Sequence, residues 1–211
     1  MTRLSLGPFS TGFDKDQKRV ILHGALSFAQ QIGSENLLAA VELNLGAVGI
    51  DADPDHLDDV QAHLETGLAL ARKTSQSVFE CIALTKLADL MIRQERWGDA
   101  GDFLCEAHTR ATEIGDHLSF PIILRGWAQI RLAQGETEAA LQDATQAVAL
   151  SRQSGEAIEL GIALRILGQV HQAREQTQAA MTAFAESMAV LGDAYPHERD
   201  LTQAQMKLCG L

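Results

Sequence analysis

Three stretches decide the fold: SVFECIALTKLADLMIRQERWGDA (residues 77–100), HLSFPIILRGWAQIRLAQGETEAA (117–140) and AIELGIALRILGQVHQAREQTQAA (157–180). Set one beneath another, they keep a step of 40. Ala88, Ala128 and Gly168 share a column, as do Leu84, Leu124 and Leu164. So do Leu87, Trp127 and Leu167; Leu90, Ile130 and Val170; and Ala100, Ala140 and Ala180. Five columns holding one period exceed chance agreement in an Ala-rich chain, and such a period is the mark of stacked structural repeats. Upstream, Gly33 stands 13 residues before Gly46, as Gly115 does before Ala128 and Gly155 before Gly168. One more unit therefore begins near Glu35, offset by 42 because DADPDH (51–56) lengthens an inter-helix turn.

Within each unit the apolar spacing is helical. Over Val78–Arg93, residues Cys81, Leu84, Leu87, Leu90 and Met91 recur at steps of three and four, which puts them on one stripe. A short polar turn follows (QERWGDA, AQGETEAA, AREQTQAA), then a second amphipathic helix, as in Ala139–Arg152. Gly115-Asp116 and Gly155-Glu156 read as helix C-caps closing each unit. Composition agrees. Of 211 residues, 46% are apolar but only 5% aromatic, and the apolar share is mostly Ala and Leu. Helix formers dominate and strand formers are scarce, which argues against a sandwich or barrel.

These residues resemble the tetratricopeptide repeat, in the longer variety of about 40 residues found in bacterial signalling regulators. The resemblance rests on paired small residues twelve positions apart (Ala88/Ala100, Ala128/Ala140, Gly168/Ala180), on LGQVHQA at Leu167–Ala173, and on the Gly135–Ala140 turn. Trp97 sits where the family often carries an aromatic. The small residues have a physical reason, since two helices of a hairpin approach closely only where side chains are short. The chain departs from the family in lacking a Pro at the end of each unit, and in having Asp58–Val60 where the first unit should carry Ala. The expected fold is all-α: a right-handed α-solenoid of antiparallel helix hairpins, a TPR-like superhelix. Its parts are a loose segment at 1–13, an N-terminal helix at 14–33, repeats at 35–76, 77–116, 117–156 and 157–195, and a capping helix at 197–208. Together 14–211 form a single solenoid, with no second domain.

By the family pattern, the first helix of each unit lines a concave groove. That places Thr85, Asp89 and Arg93 on the groove in one unit, Arg125 and Gln129 in the next, and Arg165, Gln169 and Gln172 in the last. Arg125 and Arg165 are equivalents, each followed one turn later by Gln. An Arg/Gln ladder suits a carboxylate or an extended backbone, so an acidic or C-terminal peptide segment is the expected occupant.

Other chemistries fit less well. The net charge of −11 and the absence of a basic stripe argue against nucleic acid. No apolar run is long enough for a membrane span, and the N-terminus does not read as a secretory signal. Cys81, Cys105 and Cys209 are widely spaced and odd in number, as idle or buried thiols of a reducing cytoplasm would be. Asp51–Asp55 begins like a calcium loop, but His56 and Ala62 stand where it needs Gly and Glu. Asp53 is better read as the N-cap of the following helix, with Pro54 at its first position. His56, Asp59 and His63 share a helix face and could in principle hold a metal, but no second cluster faces them. No phosphate-binding loop, dinucleotide motif or hydrolase motif occurs. The expectation is a non-enzymatic interaction scaffold without cofactor or metal, with a homodimer through terminal repeats open to it. The alternative is a ligand- or peptide-sensing module of a bacterial signalling or transcription regulator.

Overall fold

The computed structural model describes residues 15–52 and 56–208. The expected loose segment at 1–13, the Asp53–Asp55 stretch and Cys209 lie outside the described residues. Among the described residues every regular element is an α-helix. The chain divides into two compact units, one ending at Ser119 and one beginning at Phe120. The first holds α1 (Lys15–Ile32), α2 (Glu35–Ala52), α3 (Leu57–Lys73), α4 (Ser77–Arg93) and α5 (Trp97–Ile114). The second holds α6 (Phe120–Ala133), α7 (Thr137–Ser154), α8 (Ala157–Ala173), α9 (Thr177–Leu191) and α10 (Pro196–Leu208). Hairpins pair α2 with α3 and α4 with α5 in the first unit, and α6 with α7 and α8 with α9 in the second.

The division falls three residues past the expected boundary between the repeats at 77–116 and 117–156. The Asp116 carboxylate accepts hydrogen bonds from the Leu118 amide at 3.1 Å and the Ser119 hydroxyl at 2.6 Å. That turn, with Pro121 behind it, delays the helix to Phe120. As a result α6 has 14 residues against 17 in α4 and α8. A second difference concerns α3. It starts at Leu57 after His56, which makes no side-chain capping bond, so the start lies three residues beyond the one an Asp53 cap would set.

The small-residue columns sit at the hairpin crossings as expected. Ala88, Ala100, Ala128, Ala140 and Ala180 are all buried. A Cβ on Gly168 would stand 2.6 Å from the Phe184 ring, and one on Gly67 would stand 2.5 Å from Leu43. In the second unit Ala128, Ala140, Ala144, Ile166 and Val170 form one buried cluster, and Ala147, Val148, Ala163 and Leu164 another.

The period also appears in the backbone. Glu95, Gly135 and Glu175, at steps of 40, take left-handed φ of 57°, 79° and 59° just past α4, α6 and α8. The next amide of each closes the helix: Arg96 onto Met91, Glu136 onto Arg131 and Gln176 onto His171, at 2.8–2.9 Å. Gly33, Ser75, Gly115 and Gly155 also take left-handed φ after α1, α3, α5 and α7. A Cβ disfavours this conformation. Glu175→Gly should therefore stabilise the second unit by about 1 kcal/mol and Gly155→Ala should weaken it by about as much, read as opposite shifts of the urea midpoint.

Candidate functional site

The groove candidates of the first unit lie on α4. The Thr85 side chain is buried and its hydroxyl donates to the Cys81 and Ile82 carbonyls at 3.0 Å, turned back on its own helix. Arg93 reaches the Ile50 carbonyl in the last turn of α2. Asp89 stands half-buried, 3.6 Å from the Lys86 ammonium.

In the second unit the two arginines do not present open forks. Arg125, 7% exposed in its side chain, donates through Nε to Glu159 on α8 at 2.7 Å. Arg165, 14% exposed, donates through Nη2 to Glu198 on α10 at 2.6 Å. The expected ladder is thus a pair of charge-neutralised Arg–Glu couples. Between them the glutamines remain. Gln129 is half-buried and its Oε1 is buried without a hydrogen-bond donor. Gln169 is half-buried and Gln172 exposed. An orphaned buried acceptor costs about 1–3 kcal/mol relative to a satisfied one.

The glutamates that claim the arginines were not found from sequence because they belong to a different column. Each lies 33 or 34 residues after its arginine, not 40. The same step links Arg72 to Glu106 between α3 and α5, and Arg152 to Glu186 at 2.6 Å between α7 and α9. A side chain leans toward its helix N-terminus. A long arginine therefore meets the next equivalent helix about six residues earlier than its own column. Burial works against the charge on Arg72, but the Glu80 and Glu106 carboxylates outweigh it and raise its pKa. For Asp143 on α7, burial raises the carboxyl pKa while the Arg131 guanidinium opposes the shift.

Each unit also holds a crevice at the same place in the repeat. In the second unit, a space of about 380 Å³ between α7, α8 and α9 is lined by Val148, Leu164, Leu167 and Ala183 among others. Its counterpart between α1, α2 and α3, about 430 Å³, is more polar: Arg19, His23, Glu42, His56, Asp59 and His63 stand in its lining beside Leu45 and Val60. Glu42 occupies the column of Leu84, Leu124 and Leu164. It is kept there by His63, whose Nδ1 lies 2.6 Å from its carboxylate. His56, Asp59 and His63 do come to one crevice, with His56 3.9 Å from Asp59. Among the described residues no three His, Cys, Asp or Glu groups are arranged to hold a metal ion. Of the thiols, Cys81 is buried and Cys105 exposed, and no described helix is long and apolar enough to cross a membrane.

Residues 119–193, spanning α6 to α9, match the model of the tetratricopeptide repeat. Among solved structures, the chain is similar to the crystal structure of BtubC (BKLC) from P. vanneervenii, with a TM-score of 0.65. The likeness covers 94% of this chain and 91% of that one at 12% identity, so it is one of fold. No curated protein matches the sequence.

The Arg125–Glu159 couple makes a direct prediction. Glu159→Gln leaves a buried guanidinium without its counter-charge and should cost about 3–5 kcal/mol in chemical denaturation. Glu138→Gln, which removes the 70%-exposed partner of Arg174, should cost under about 1 kcal/mol.

Proposed function

We propose that this chain, a tetratricopeptide-repeat-type protein, is a non-enzymatic interaction module that takes up an extended segment of a partner protein along the first-helix faces of its repeats. Tetratricopeptide repeats in general mediate protein–protein interaction. The occupied face runs over Arg125, Gln129, Arg165, Gln169 and Gln172 in the second unit, with Thr85, Asp89 and Arg93 at the equivalent positions of the first. The observation that carries this reading is the buried, donorless Oε1 of Gln129. An amide side chain both accepts and donates, so it can pair with a peptide backbone as a neighbouring strand would. The engagement of Arg125 and Arg165 by Glu159 and Glu198 turns the choice of ligand away from an acidic or C-terminal segment and toward a neutral extended backbone. The couples act by fixing the face, so that less freedom is lost when the segment arrives. A buried Cys81 and an exposed Cys105 fit a cytoplasmic setting.

Selection from a displayed library of unstructured peptides tests the face. The wild-type chain should enrich a set of neutral sequences. Gln129→Ala with Gln169→Ala should weaken their binding about tenfold, the worth of one to two hydrogen bonds. Gln142→Ala on the exposed side of α7 should leave it unchanged. Equal binding by all three proteins would contradict the assignment.

A second reading, a sensory module for a small polar ligand, draws on the crevice between α1, α2 and α3. A glutamate in a leucine column is a local departure from the repeat rule, and such departures gather at functional positions. A polar metabolite library screened by thermal shift should then yield a ligand that stabilises the wild type and not Glu42→Leu. A library that moves the two proteins alike counts against this reading.

A further inference from the structure

The helix α1 buries Ala29 and half-buries Leu22, Ala25 and Leu26 where it packs on α2. A different face of the same helix meets solvent with apolar side chains. Val20 is 72% exposed, Ile21 37%, Phe28 56% and Ile32 53%. Among the described residues these are four of the eight large apolar side chains left exposed, and the others are scattered singly over four helices. The repeat supplies an internal comparison. The Val20 position corresponds to Ala62, Asp102, Gln142 and Thr182 in α3, α5, α7 and α9, all small or polar. Only α1 makes this position large and apolar. A contiguous exposed apolar face is the usual mark of an interface.

We infer that α1 is the contact surface of a homodimer in which two copies of this helix pack antiparallel about a two-fold axis. The spacing points to a second copy as the occupant because the face is complementary to itself. Val20, Gly24, Phe28 and Ile32 follow one another at steps of four and so form one ridge. Ridges of that kind from two helices interdigitate at a crossing of about 50°. The ridge is symmetric about the level of Leu26. Turned end over end, it sets Phe28 against Gly24 of the partner subunit and Val20 against Ile32 of the partner subunit. A Cβ built on Gly24 would find nothing within 4 Å, so the notch that receives the phenylalanine ring is open. An isologous contact needs this reciprocal match of knob and hole.

Charge agrees with the antiparallel sense. Lys18 and Arg19 lie in the first turns of α1, and its last turn carries no basic residue. End-over-end pairing brings those cations to the carbonyl end of the partner's α1, where the helix dipole is negative. A parallel pair would set cation against cation. The charge of −11 on each chain opposes association generally, which favours contact through a stretch whose own charge is positive. Among residues 15–32 there are two lysines and one arginine against one aspartate.

Sedimentation velocity on the full chain tests this over about a hundredfold range of concentration. The mass should rise from 22.8 kDa toward twice that value. Phe28→Glu should lower the association constant at least about tenfold. Gly24→Leu, which fills the notch, should weaken association to a similar degree. Both variants should keep the wild-type circular dichroism, because neither side chain is part of the core. With Cys105→Ser and Cys209→Ser as background, oxidising a mixture of Gly24→Cys and Phe28→Cys chains should give more cross-linked dimer than either alone. A chain that stays monomeric throughout overturns the inference, as does a dimer indifferent to both substitutions on α1.

Discussion

Everything in this structure depends on how closely two helices can approach within a hairpin. At each crossing the side chains must be Ala or Gly, and where one is Gly the facing residue has grown into its space, as Phe184 has at Gly168 and Leu43 at Gly67. Close approach brings the apolar stripes on either side of the crossing into contact, and in the second unit these form two buried clusters. Because the crossing recurs, so do the helix ends. The left-handed closing residues keep the same step of 40, even where the residue is Glu95 or Glu175 and not glycine.

The same geometry accounts for the electrostatics. Parallel equivalent helices sit one repeat apart, and arginines lean back to meet glutamates on the next one. Arg72, Arg125, Arg152 and Arg165 all do so. Positive charge is thereby drawn into the seams between repeats, while the more numerous acids give the chain its charge of −11. On the face of α6 and α8 this leaves the Oε1 of Gln129 as a buried acceptor without a donor.

How much of this was legible in the sequence follows from what repeats and what does not. The hairpins, their crossings and their glycine caps are column properties, and Ala88, Ala128 and Gly168 reveal them by position alone. Three features escaped because they break the column. Pro121 and the Asp116 turn shorten α6, an effect of local backbone chemistry that a period of 40 cannot express. Glu159 and Glu198 claim Arg125 and Arg165 from 34 and 33 residues away, an offset set by side-chain tilt. Glu42 sits in a leucine column and is understood only once His63 is found across the hairpin, at 2.6 Å. Thr85 is a simpler case: it sits at a groove position, yet its hydroxyl is spent on its own helix. The groove candidates could be named from the pattern, but which of them keep an unmet polar atom depends on neighbours that only the folded chain supplies.

The central claim is that the α6–α8 face receives an extended backbone through its glutamine amides. Side-chain amide resonances of Gln129, Gln169 and Gln172, followed by nitrogen–proton NMR during titration with a selected peptide, test it most directly. The account predicts that the Gln129 amide moves first and furthest, with Gln169 and Gln172 following, while the side-chain amides of Gln142 and Gln146 on α7 stay in place. Saturable binding that shifts the α7 amides and leaves Gln129 unmoved would contradict it.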